Sequence, residues 1–119
     1  MQSAYQWMEV DNSSNITLIS FKAAAIVDER VIRIISDELL RLQQTGCRFI
    51  LLDFTDVRHM SSSILATLIT LHKRLTEAKG RLALSSLKPD IAKVFQVTHL
   101  DRILTIYPDL TTAQLQFRG

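Results

Sequence analysis

Leu51-Leu52-Asp53-Phe54-Thr55-Asp56-Val57-Arg58-His59-Met60-Ser61-Ser62-Ser63-Ile64-Leu65 reads as a buried strand, a short polar loop and the opening of a helix. Just upstream, Phe49-Ile50 joins Leu51-Leu52 in an unbroken apolar run. Such a run is the pattern of a strand covered on both faces, as in parallel sheets. Ser61, Ser62 and Ser63 fall where the helix should begin. A helix start leaves amide groups without partners and carries partial positive charge, so it suits hydroxyls, anions and phosphate. A chemical site, if the chain has one, is expected here.

Working outward, Ile64, Leu68, Leu71 and Leu75 form the inward stripe of a helix over residues 63–79, which Gly80 ends. Arg81-Leu82-Ala83-Leu84-Ser85 makes a short strand, and Pro89-Asp90 opens a third helix with Ile91, Val94 and Phe95 on its apolar face. A turn at residues 99–102, a last strand over 104–107 and a closing helix over 110–117 follow. Upstream, Asp28 is the expected N-cap of a helix whose buried face is Ile32, Ile35, Leu39 and Leu42, with Glu29 favourable in its first turn. Gly46 suits the left-handed position beyond that helix. Two strands, 7–10 and 16–21, flank the turn-rich Asp11-Asn12-Ser13-Ser14-Asn15 and predict an antiparallel hairpin. After it, strands and helices alternate. The expected fold is a single α/β domain over 1–119, with a mostly parallel sheet, an N-terminal antiparallel hairpin and about four helices.

Composition narrows the function. The 119 residues are 47% hydrophobic and 22% charged, enough for a core without staples. No apolar run approaches the roughly 20 residues that cross a bilayer, so no membrane insertion is expected. The opening Met1-Gln2-Ser3-Ala4-Tyr5 lacks the regions of a leader, and the single Cys47 fits a reducing compartment, so a cytoplasmic location is expected. Net charge is +2, with basic residues scattered and Lys73-Arg74 the only adjacent pair. That is poor ground for nucleic-acid binding, which needs clustered cations.

Catalytic and metal motifs are missing. There is no Gly-rich phosphate loop, cysteine pair or nucleophile elbow. His59, His72 and His99 share no metal-ligand spacing, so neither metal nor cofactor is expected. His59 lies near Ser61 and Asp56 in sequence, but a triad is defined by roles in space. Asp53 and Asp56 read more simply as cap and turn formers than as an acid–base pair, and Cys47 as a small semi-buried residue. No enzymatic activity is expected.

The order and spacing of several segments do carry a resemblance. Residues 49–57, the serine-rich helix start, Leu71-His72-Lys73-Arg74-Leu75, Gly80-Arg81-Leu82-Ala83-Leu84, Ile91-Ala92-Lys93-Val94-Phe95 and Leu100-Asp101-Arg102-Ile103-Leu104-Thr105-Ile106-Tyr107 together resemble the STAS domain family of bacterial anti-sigma factor antagonists. The match is closest from Arg48 to Phe117. The family loop reads Asp-Ser-Ser-Gly-Leu or Asp-Ser-Thr-Gly-Leu. A cognate anti-sigma factor that is also a serine kinase phosphorylates the serine after the aspartate. By this resemblance the acceptor is Ser62, with Ser61 and Ser63 as alternatives, and Arg58, His59, Met60, Ser61, Ser62 and Ser63 form the partner-binding loop. Ser61 stands where the family has aspartate, removing a carboxylate, and Ile64 replaces its glycine, putting a bulky side chain at the helix start.

The implied function is an anti-sigma factor antagonist that sequesters an anti-sigma factor/serine kinase and is switched by phosphorylation. Phosphate adds about −1.5 to −2 charges, which the helix start would hold through free amides and dipole. Ser61 or Ser62 as a simple helix cap remains open beside it. The resemblance also admits a non-phosphorylated assembly subunit of a transporter or signalling complex, and a nucleotide or other small ligand near the same loop.

Overall fold

The computed structural model describes residues 5–117. Residues 1–4, which open the stretch considered as a leader, and residues 118–119 lie outside the described residues. The elements are β1 (Met8–Asp11), β2 (Thr17–Phe21), β3 (Ala25–Ile26), α1 (Glu29–Gln44), β4 (Phe49–Asp53), β5 (His59–Met60), α2 (Ile64–Glu77), β6 (Arg81–Ser85), α3 (Pro89–Val97), β7 (Thr105–Tyr107) and α4 (Leu110–Gln116). A 3₁₀ turn, Leu100–Arg102, links α3 to β7.

Five strands form one sheet in the order β1-β2-β4-β6-β7. The β1–β2 hairpin is antiparallel, with Met8 opposite Phe21. The pairs β2–β4, β4–β6 and β6–β7 are all parallel. This is the expected α/β fold, with its hairpin and four helices. Along β4 successive side chains face opposite ways. Ile50 and Leu52 join the main core with Ile35, Leu39, Leu68, Leu71 and Phe95, whereas Leu51 packs with Ala83, Ala113 and Phe117. The strand is thus covered by α1, α2 and α3 on one face and by α4 on the other.

Local chemistry sets the helix limits. The Asp28 carboxylate accepts from the amides of Arg30 at 2.8 Å and Val31 at 3.4 Å, capping α1. Ile32, Ile35, Leu39 and Leu42 are buried, and Gly46 takes φ +105° past the helix end. A 2.6 Å hydrogen bond between Ser36 and Thr67 ties α1 to α2. In α3, Ile91 and Phe95 are buried and Val94 is half-buried.

Two expectations are corrected. The second helix runs from Ile64 to Glu77, not 63–79. Its C-terminal reversal uses Lys79 in the left-handed region (φ 63°), so Gly80 serves close approach rather than chirality. A β-carbon at Gly80 would lie 2.7 Å from the Arg48 carbonyl carbon and clash with the carbonyl oxygen. That oxygen accepts the Arg81 amide at 2.9 Å where β6 begins. The third finding is an addition: two-residue strands β3 and β5 pair in parallel, away from the main sheet.

Two stability predictions follow from this packing. Gly80→Ala must push the β4 and β6 entrances apart, and is expected to cost about 2 kcal/mol, lowering the thermal midpoint by about 10 °C. Burial pushes the Glu38 carboxyl above the ordinary glutamate range, opposed by the Arg41 charge, and its buried Oε1 has no hydrogen-bond partner among the described residues. The proton is therefore held more tightly in the folded state. Its contribution is fully present below the ordinary glutamate value of about 4.3 and is lost as pH rises through the raised value of the folded state. Glu38→Gln should accordingly raise the midpoint by about 1 °C at neutral pH, with the gain disappearing in acid. Thermal unfolding at the two pH values checks the sign.

Candidate functional site

The segment between β4 and α2 is held from below by apolar anchors and from the side by backbone pairing. Phe54 and Val57 are buried, with the Phe54 ring 4.9 Å from that of Phe21, while Thr55, Asp56, Arg58 and His59 are exposed. The buried Asp53 carboxylate accepts from Thr55 Oγ1 at 2.8 Å and from Ser85 Oγ at 3.1 Å, joining the ends of β4 and β6. Lys88 donates to the Thr55 carbonyl. The amides of Arg58 (2.7 Å) and His59 (3.0 Å) both donate to the Ala24 carbonyl, and the Ser61 amide donates to Ile26 at 2.8 Å. The β3–β5 pair therefore clamps the loop to the segment that enters α1.

The three serines then diverge. Ser61 Oγ accepts the Ser63 amide at 3.2 Å and donates to Ser63 Oγ at 3.1 Å. Ser63 Oγ donates to Glu29 Oε2 at 3.1 Å. Ser63 itself has helical dihedrals and makes no side-chain cap bond, so the capping hydroxyl belongs to Ser61. Ser62 is exposed, and its hydroxyl has no partner among the described residues. The amides of Ile64 and Leu65 bond to the Ser61 and Ser62 carbonyls at 3.3 and 3.0 Å. The expectation of free amides awaiting a phosphate is thus corrected for Ser63, Ile64 and Leu65. What the helix offers there is its dipole.

Ile64 is 1% exposed and turns into the core, so the helix start keeps a bare surface despite the isoleucine. The expected bulk is on the inside. Met60 and Ser61 are half-buried, whereas Arg58, His59, Ser62 and Ser63 are exposed. All six loop residues lie on one contiguous stretch at the carboxyl end of the sheet. Beside them is a hollow of about 200 Å³ lined by Val27, His59, Met60, Asp90, Ile91 and Val94. A cleft of about 390 Å³ lies between Lys22, Ala24, Thr55, Asp56, Arg58 and Lys88.

Catalytic constellations are not assembled among the described residues. His59 makes no hydrogen bond to Ser61 or Asp56. Asp56 faces Lys22 at 3.9 Å, and Lys22 pairs with Glu9 at 2.8 Å. The Glu9 hydrogen bond holds the Lys22 amine above the ordinary lysine range, with burial opposing and the Asp56 and Asp53 charges adding. Asp53 is thus engaged by two hydroxyls, whereas Asp56 faces a lysine. No group of three or more His, Cys, Asp or Glu side chains with metal-site geometry occurs among the described residues, and no helix there is long and apolar enough to cross a membrane.

Sequence reasoning missed Glu29 as a member of this site. Its place in the first turn of α1 was legible, but its contact with Ser63 spans 34 positions. The β3–β5 clamp was missed because two-residue strands carry no periodicity.

Solved structures share this architecture. An anti-sigma-factor antagonist (STAS) domain protein from Planctomyces limnophilus is 28% identical, with TM-score 0.80 over 93% of this chain and 97% of that one. An anti-sigma factor antagonist from Mycobacterium paratuberculosis is 17% identical, with TM-score 0.81 over 94% and 93%. The Bacillus cell fate determinant SpoIIAA, in its phosphorylated form, is 18% identical, with TM-score 0.70 over 93% and 99%. The parallel sheet, the N-terminal hairpin and the loop before α2 are accounted for together at the level of family: the chain belongs to the STAS domain family, whose model its residues 9–113 match.

Proposed function

We propose that this chain is a cytoplasmic bacterial anti-sigma factor antagonist. In this reading it is a binding protein rather than an enzyme. Unmodified, it docks an anti-sigma factor of the serine-kinase kind through Arg58–Ser63. Phosphorylation of Ser62 releases that partner. The observation carrying the proposal is the Ser62 hydroxyl, exposed and, among the described residues, unengaged between two serines whose hydroxyls are already bonded.

In the transfer step the γ-phosphoryl group of a nucleoside triphosphate held by the kinase forms a bond to Ser62 Oγ. The bond to the bridging oxygen breaks, the diphosphate leaves, and the hydroxyl proton passes to a base on the kinase. The added charge of about −1.5 to −2 stands at the positive end of α2, which favours it. Ser62 is held in no side-chain hydrogen bond among the described residues, so the modification breaks none there. The domain stays folded while its docking surface changes charge and shape.

The departures at Ser61 and Ile64 favour a second reading, a non-phosphorylated assembly subunit. They weigh less now that Ser61 Oγ caps the loop and Ile64 is buried. The decisive measurement uses a purified serine-kinase anti-sigma factor from the same genome. Ser62→Ala should bind it like the wild type, and Ser62→Asp at least about tenfold more weakly, a loss of about 1.4 kcal/mol. Equal affinity for Ser62→Asp, with no transfer of labelled phosphate, would leave the assembly-subunit reading.

A further inference from the structure

Three adjacent hydroxyls raise the question of how a kinase finds one. We infer that Glu29 is a positioning residue that confines modification of this loop to Ser62. The inference rests on the switch reading above. It starts from a chain of bonds: Ser61 Oγ donates to Ser63 Oγ at 3.1 Å, and Ser63 Oγ donates to Glu29 Oε2 at 3.1 Å. Glu29 is the first residue of α1, set there by the Asp28 cap and by the β3 strand that pairs with β5. The same clamp that holds the serine loop thus brings the carboxylate to Ser63.

Each alternative acceptor is disfavoured for a physical reason. A phosphate on Ser63 would replace a donor by a dianion against the Glu29 carboxylate, and phosphate beside an acidic group disrupts by repulsion. A phosphate on Ser61 would remove the donor to Ser63 Oγ and burden the oxygen that accepts the Ser63 amide. Ser62 alone can be modified with every one of these bonds intact. The discriminating element is the charge on Glu29. An uncharged isostere would keep the acceptor for Ser63 Oγ and lose the repulsion.

The test is a set of thermal midpoints for Ser62→Asp and Ser63→Asp, each made with Glu29 and with Glu29→Gln. Ser63→Asp is expected to lower the midpoint by about 3 °C and to regain most of that in the Glu29→Gln background. Ser62→Asp should shift equally in both backgrounds. A Ser63→Asp shift indifferent to Glu29, or a Ser62→Asp shift coupled as strongly, overturns the inference. Incubation with the kinase and ATP, followed by peptide mass mapping, separates this from the switch itself. Phosphate on Ser62 alone in the wild type, and on Ser62 and Ser63 in Glu29→Gln, is the expected result. Phosphate confined to Ser62 in both chains overturns the role of Glu29 while the switch stands. No phosphate on either chain overturns the switch, and the inference with it.

Discussion

Strand β4 must be buried on both faces, and the rest of the molecule is arranged to meet that demand. Ile50, Leu51 and Leu52 are at most 1% exposed, and each burial contributes about 1.5–3 kcal/mol. With β2 and β6 parallel to it on either side, both connections have to cross over a face of the sheet, which is what α1 and α2 do. α4 then closes the opposite face through Ala113 and Phe117. Because the central strands run the same way, their carboxyl ends gather at one end of the domain. The loops leaving β2, β4 and β6 meet there.

At that end Asp53 is the pivot between core and surface. Its carboxylate is buried, a costly placement unless hydrogen bonds replace the lost water, and Thr55 and Ser85 supply them. Immediately after it, Phe54 and Val57 plunge inward and leave Thr55, Asp56, Arg58 and His59 outside. The β3–β5 pairing and the three backbone bonds to Ala24 and Ile26 then fix where the serines stand. The loop is thereby held in place, so under the proposed function a partner would spend little binding energy on ordering it. A modification that breaks no bond would change the surface without disturbing the scaffold.

The serine loop lies inside the stretch that matches the STAS family. The family match covers residues 9–113. Within it, a chain of hydroxyl bonds runs from Ser61 through Ser63 to Glu29. Ser61 Oγ holds the Ser63 amide there, and Ile64 is buried behind it.

What the sequence by itself determined is everything governed by nearest neighbours along the chain. The apolar run 49–52 meant a strand covered twice, the spacing of Ile32, Ile35, Leu39 and Leu42 meant a helix with one buried face, and Asp28 and Gly46 marked its ends. Those readings hold because periodicity, capping and left-handed turns are short-range effects. Tertiary structure decided what depended on distant partners. Gly80 is needed because the backbone of Arg48 lies against it, 32 positions away. Which serine caps α2, which is free, and that Glu29 reaches Ser63 follow from the β3–β5 clamp, two strands too short to leave a pattern. A hydroxyl's local sequence says only that it can donate and accept; the fold decides with whom.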